Sequence, residues 1–535
     1  MAVTFRLNVT PANIPLLSMW HGRSLIKPEP TDSNYVTSNA YGGLSSDRDV
    51  GIPSTLYMHN VMPTIFGLTS VSYKQVSNAA STQAKSTGVL RTCTELRYPF
   101  LATENGNYIL DNGSWRNIGG FSNPNRVTFA HIHKATYICH AYSFVQKLNE
   151  TTDMLELVEL KGLTSAEILG VTHANNYLIA YTADTIHWSS SIDSTDFVPQ
   201  LATLAGSIIP LHVRGAIVGC RPARDGFIIF TTVNMVKATF SGDPEFPFRF
   251  MEIVGSGGVT SLDHVSADNN ADAYYCWTNK GIQAVPKTGE EVANLFPEVT
   301  DFLTGHMFED YIGDTTKQPS TNESEVWSSQ TQSWPDTPEG YNELKQYTFT
   351  GTMQVRVALV ANRFLAVSYG IPSSPTLTHA LVYDISMKRW GKLRVPHMEC
   401  FELDPATQTS YLVEPNHSMA FLAPNGIVST LDLATATTDT DSVIFFGKLQ
   451  GPRNRITTLH TIEVESTLPK KASLSVLTSL DGKNFNPAIY PMRQIDTKHL
   501  SVWLMRTTGI NHSFKLTGTF DISSMQGTMT LGGDR

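Results

Sequence analysis

Short apolar runs separated by tight polar turns recur through the middle of this chain. Phe100-Leu101-Ala102-Thr103 turns at Glu104-Asn105-Gly106 into Tyr108-Ile109-Leu110, then turns at Asp111-Asn112-Gly113 and reaches Trp115. The same plan returns in Asn176–Trp188, Gly226–Thr239, Ala273–Val285, Phe364–Tyr383 and Met419–Val428. Each apolar run is too short for a helix and is bounded by residues that tolerate positive φ, so the pattern predicts β-hairpins. The expected inner strands, centred near residues 109, 179, 229, 275, 366 and 421, are spaced by roughly 45 to 90 residues. That spacing fits the blades of a β-propeller with insertions in some of them. Radial repetition would also explain how so many short strands avoid exposed edges. A pair of β-sandwiches shares these signals and is the alternative architecture.

The grammar divides the chain. Residues 1–97 carry Pro11, Pro15, Pro28, Pro30, Gly42, Gly43, Pro53 and Pro63 and read as an irregular arm or cap. Its large side chains, Trp20, Tyr35, Tyr57 and Phe66, would bury either against a neighbouring subunit or back on their own chain. Residues 98–442 form the expected propeller, interrupted at about 311–346 by a polar, proline-bearing insertion with two tryptophans, Trp327 and Trp334, which are candidate interaction residues. Residues 443–535 read as a small C-terminal β-sandwich or platform. The fold class is therefore all-β.

Composition sharpens the picture in three ways. Charged residues make up only 16% of the 535 residues, so the surface is built from Ser, Thr, Asn and Gly, as suits strands better than exposed helices. A net charge of −9 argues against tight DNA binding, although a mildly negative wall would let DNA slide without sticking. The five cysteines (93, 139, 220, 276 and 400) lack CxxC spacing, which points to buried free thiols and a reducing compartment. The N-terminus lacks the plan of a signal peptide, and no run has the length of a membrane-spanning helix, so synthesis as a soluble cytoplasmic chain is expected.

Candidate chemistry is sparse. His131-Ile132-His133 would put two imidazoles on one strand face, with Cys139-His140 as a loose addition, but no third metal ligand stands at convincing spacing. Ser479-Leu480-Asp481-Gly482-Lys483-Asn484-Phe485 resembles the structural Asp-box turn of sialidase-type propellers; a sialidase would also need an arginine cluster and a Tyr/Glu pair. Gly255-Ser256-Gly257-Gly258 lacks the ending of a phosphate loop and reads as a turn. Leu381–Trp390 looks like the strand, turn and Trp unit of kelch-type blades. No catalytic, cofactor-binding or metal residues are nominated, and no cofactor is expected.

Two blocks carry a family resemblance. Thr185-Ile186-His187-Trp188-Ser189 through Asp196-Phe197, followed by Gly226–Thr232 and Phe246–Phe250, is similar to the blade-closing element of tail nozzle and packaged-DNA-stabilisation proteins of short-tailed bacteriophages. Ser479-Leu480-Asp481-Gly482, Trp503–Gly509 and Phe514–Gly518 look like that family's terminal platform. The resemblance, which includes tail tubular protein B-like proteins, implies a non-enzymatic virion protein of the viral tail, made in the host cytoplasm. It further implies a homohexameric ring around the DNA exit channel, in contact with portal–adaptor proteins and tail fibre or tip proteins, that retains the genome and then permits DNA ejection. The alternative is a virion or cell-surface propeller that recognises a receptor or glycan; a glycosidase is the third reading. A convergent pocket of acids and arginines at the hub would count against a purely structural ring.

Overall fold

The computed structural model describes residues 2–7 and, between 51 and 531, all but short segments, of which 312–343 and 405–418 are the longest. The described chain is all-β, and its strands pair as a propeller joined to a β-sandwich. Among the described residues there are seven blades. Four are four-stranded sheets within 86–117, 127–158, 170–208 and 217–252, and the fifth is a three-stranded sheet within 273–295. The sixth, within 354–397, and the seventh, within 399–433, belong to one ten-stranded sheet.

The middle strand of each blade explains why the ring closes. Because successive side chains point to opposite faces, Phe227 and Ile229 join the core between blades 3 and 4, whereas Ile228 and Phe230 join the core between blades 4 and 5. Leu365, Val367 and Tyr369 pack towards blade 5, and Ala366 packs towards blade 7. Met398 and Phe401 of blade 7 meet Leu101 and Leu110 of blade 1, which completes the circle. A strand buried on both faces reads as a continuous apolar run, and each fully buried Phe or Ile contributes roughly 1.5–3 kcal/mol.

This geometry corrects the expected strand positions. The runs near 179, 229, 366 and 421 are second strands of their blades, and Gly106–Asp111 is a third strand, while the inner strands are Ser86–Arg91, Val127–Ile132, Gly170–Ala174, Ile217–Ala223, Ala273–Thr278, Gln354–Val360 and Glu399–Glu402. Most inner strands place polar or charged residues such as Thr87, Thr128, His173, Arg221, Arg356 and Glu399 on the cavity wall, which weakens their hydrophobic signal. Residues 127–158 form a blade that the pattern of apolar runs had not marked. The turns behave as their residues require: Asn112, Gly113, Gly281 and Gly426 have positive φ.

The N-terminal segment is woven into both domains. Leu68–Gln75 pairs with Val428–Leu433 as the outer strand of blade 7, and Val61–Pro63 bridges it to the outer strand of blade 6. The boundary at 97/98 therefore cuts through blade 1, whose inner strand begins at Ser86. Ala2–Leu7 pairs with Ser524–Leu531, and Thr55–His59 with Val443–Phe446, so the C-terminal sandwich is built from both ends of the chain. Its two sheets bury Leu459, Ile462 and Val464 against Leu474, Val476, Phe514 and Leu516. Asn60, at φ 51°, is the joint. Its amide donates to Asp441 at 2.8 Å, and its side-chain oxygen accepts from Tyr73 at 2.9 Å and from the Arg394 N–H at 2.9 Å. Trp20, Tyr35, Phe66, Trp327 and Trp334 lie outside the described residues, as does the side chain of Tyr57.

A candidate ligand site at the propeller hub

Six of the seven inner strands, with the segment 262–267 that precedes the inner strand of blade 5, line a cavity of about 190 Å³ at the propeller hub. Its wall carries Arg91, Arg97, Arg126, Arg221 and Arg356 against Asp263, Glu399 and Glu402. Five arginines against three acids make this wall cationic within a chain of net charge −9.

Each charged group is set by its strand. Arg356, on the inner strand of blade 6, reaches sideways to both sides: its guanidinium lies 3.7 Å from Asp263 in the turn that precedes blade 5 and 3.8 Å from Glu399 of blade 7, and donates to the Thr87 hydroxyl of blade 1 at 3.4 Å. Asp263 sits in the 3-10 turn Leu262–His264, where the Ser261 hydroxyl donates to its carboxylate at 3.1 Å. Burial would push Asp263 up, but Arg356, Arg126 and the Ser261 hydroxyl outweigh it and hold the carboxyl below its usual value. Solvent still reaches about half of this side chain, 47%, which means that the carboxylate is wetted from the channel although protein surrounds it. At Glu399 the balance reverses, and burial keeps its pKa raised against the pull of Arg356.

Arg126 and Arg221 are less well matched than Arg356. Arg126, immediately before the inner strand of blade 2, donates through Nη1 to the Val218 carbonyl at 3.3 Å, while its buried Nη2 has no hydrogen-bond partner among the described residues. The buried Nε of Arg221 is also unmatched there, as is the hydroxyl of Tyr181, a fully buried residue. Burial lowers the Arg126 pKa, Tyr181 and Asp263 oppose that shift, and the like charges of Arg221 and Arg356 add to it. Burial raises the Tyr181 phenol. A side chain at Gly170 would meet the Tyr181 hydroxyl at 2.3 Å, so glycine on the inner strand is what lets the phenol reach this depth.

The sequence candidates fall as follows. His131 hydrogen-bonds Thr136 at 3.1 Å, and its backbone N–H donates to His173 at 3.2 Å; His133 lies outside the described residues. No group of three or more metal-ligating side chains occurs among the described residues. Cys139, Cys220, Cys276 and Cys400 are buried free thiols, and burial raises Cys139 to about 12; Cys93 is outside the described residues. Gly255–Gly258 is a turn tying blades 4 and 5, where Gly257 N–H donates to Gln283 at 2.8 Å and Gly258 N–H to Asn279 at 3.0 Å. The Asp481–Phe485 turn is not described. Trp390 is buried between blades 5 and 6, at the end of the hairpin that the kelch-like segment predicts. Ile186–Trp188 is the third strand of blade 3, and Phe197 packs between blades 2 and 3. The hub arginines were not singled out from sequence; their signal was an arginine shortly before an apolar run, at Arg126, Arg221 and Arg356.

No protein-family model matches this chain, and no curated protein matches it. Solved structures similar to it include the extracellular domain of a putative hybrid two-component system from B. thetaiotaomicron, at 10% identity and TM-score 0.39, covering 80% of this chain and 48% of that one. The chain thus spans about half the length of that relative. The WD40 β-propeller domain of Doa1 matches at 7% identity and TM-score 0.38, over 68% of this chain and 98% of that domain. YCF48 from Cyanidioschyzon merolae matches at 10% identity and TM-score 0.34, over 67% and 98%. The propeller assignment rests on this chain's own strand pairing and on the cores between its blades.

Proposed function

We propose that this protein is a β-propeller binding module that recognises a receptor or glycan through groups presented at its hub. The observation that carries this reading is the belt of arginines and acids supplied by different blades, with donor groups left unmatched in the wall. Charge collected on an axial cavity is what a pre-formed ligand site requires. A packed core gains nothing from it, because unmatched buried donors are costly. The same belt counts against a purely structural ring. Binding is favoured over catalysis by the state of the candidate reactive groups: the Tyr181 phenol and the thiols are raised by burial, and Asp263 is engaged by Arg356.

A second reading keeps the chain as a ring-forming component of a phage tail nozzle. It is favoured by apolar side chains exposed on blade 4 and the segments that flank it. Leu211 is 95% exposed, and Val233, Met251 and Val254 are also open to solvent, as expected of a subunit contact. In that reading the hub is too small for a duplex, so DNA would pass between subunits, alongside portal–adaptor and fibre or tip contacts. Glycan-array binding combined with imaging of the particle separates the two. A monomer that binds acidic glycans supports the module, whereas a six-fold ring that binds none supports the nozzle.

A further inference from the structure

We infer that the hub is an oxyanion site, in which Arg126 and Arg221 grip a carboxylate or phosphate group at the end of a small molecule or glycan. The inference deepens the binding-module reading and rests on it.

Three observations carry it. First, the arginines of the wall are unequally matched. Arg356 lies 3.7 Å from Asp263 and 3.8 Å from Glu399, whereas Arg126 and Arg221 feel those acids only at longer range, repel each other, and keep Nη2 and Nε unmatched among the described residues. Two guanidinium edges with spare donors are the arrangement that takes an oxyanion, because an arginine can give parallel hydrogen bonds to two oxygens of one group. Second, the fully buried Tyr181, within electrostatic range of both arginines, leaves its hydroxyl without a partner among the described residues, so no phenol hydrogen bond occupies either guanidinium. Third, the cavity of about 190 Å³ suits one acidic group with a short stem and excludes a macromolecule. The acids of the same wall limit what else the ligand can carry: Asp263, Glu399 and Glu402 disfavour a second anionic group and can accept from the ligand's hydroxyls.

The same oxyanion chemistry could come from inorganic phosphate or from an acidic sugar, and separate titrations of the intact chain distinguish them. Phosphate binding is followed by 31P line broadening, and glucuronate binding by calorimetry, with glucose as the neutral control. Saturable binding of at least one anion and none of glucose is expected. Arg221→Gln and Arg126→Gln should each weaken it by about 10- to 100-fold, as for loss of charge-assisted hydrogen bonds. The outer-strand variant Arg249→Gln, which lies on blade 4 away from the cavity, should bind as the unaltered protein does. Should the hub variants fail to fold, the titrations of the unaltered chain still decide, since the absence of saturable binding to either anion overturns the inference. Binding that Arg221→Gln and Arg126→Gln both retain at full strength also overturns it. A glycan or receptor bound equally well by Arg221→Gln and the unaltered chain would overturn the hub inference while leaving the binding-module reading intact.

Discussion

Two strands of blade 4 differ by only a few ångströms in radius and by almost everything else. Gly226–Thr231 is buried at every position and sends alternate side chains into two separate cores. Ile217–Ala223, one strand closer to the axis, is only partly buried and places Arg221 on the cavity wall. Gly226–Thr231 holds the ring together, and Ile217–Ala223 carries an arginine of the proposed site. Stability and recognition therefore sit on adjacent strands in different chemistry, and perturbing one should leave the other largely unaffected.

The largest test of that separation is Phe230→Ala. Phe230 is fully buried in the core between blades 4 and 5 and meets Tyr274 edge to face at 6.1 Å. Removing it should cost about 3–5 kcal/mol of unfolding free energy, measured by denaturant titration, while the folded fraction keeps its anion affinity. Next is Asp384→Asn. The fully buried Asp384 carboxylate accepts from Arg363 Nε at 2.9 Å and Nη2 at 2.6 Å, and from the Ser386 and Met387 N–H groups. Loss of its charge should cost about 2 kcal/mol, and a double-mutant cycle with Arg363→Met should show the coupling.

Acid should expose a third, smaller effect. Burial lowers His140, His397 and His512 to about 4 in the folded protein, against about 6.5 in an unfolded chain. The unfolded state therefore binds more protons between those values. Their contribution is complete above about pH 6.5, falls as the pH drops through the window and levels off below about 4. Each should cost about 1–2 kcal/mol at pH 5. His397, held by Ser368 at 2.8 Å and the Val395 carbonyl at 2.7 Å, is the residue to replace by Gln; a melting temperature whose acid slope is unchanged in that variant would remove it from the account. The smallest expected effect is on the stability of Arg221→Gln. Without ligand it should stay within about 1 kcal/mol of the parent, the range of a partly buried position outside the packed cores.

The same contrast explains what was legible in the sequence. Phe227–Phe230, Leu178–Tyr181 and Phe364–Val367 were readable because burial on two faces demands apolar residues without interruption. Arg126, Arg221 and Arg356 were not, since a charged residue on a half-wet strand looks like any surface position until the ring brings the inner strands together. Tyr137-Ile138-Cys139 was readable as a strand, but the turn after it, at Ala141-Tyr142-Ser143, lacks the Asn-Gly signature, and Tyr142 takes positive φ without glycine. The closing strand Leu68–Gln75 mixes Ser, Thr and Lys with Val and Leu because its buried Thr69 and Ser70 donate to Asp521 and to the Phe520 carbonyl of the C-terminal domain, while Lys74 and Gln75 are exposed. Its partner lies some 360 residues away, a distance that local pattern does not span.

The most direct test of the hub as a recognition site is hydrogen exchange on the unaltered protein with and without saturating oxyanion. Slower exchange is expected at amides flanking the cavity, in 126–132 and 217–223, with the middle strands and the C-terminal sandwich unchanged. Protection confined to the outer edges of the blades, or protection nowhere, would contradict the account.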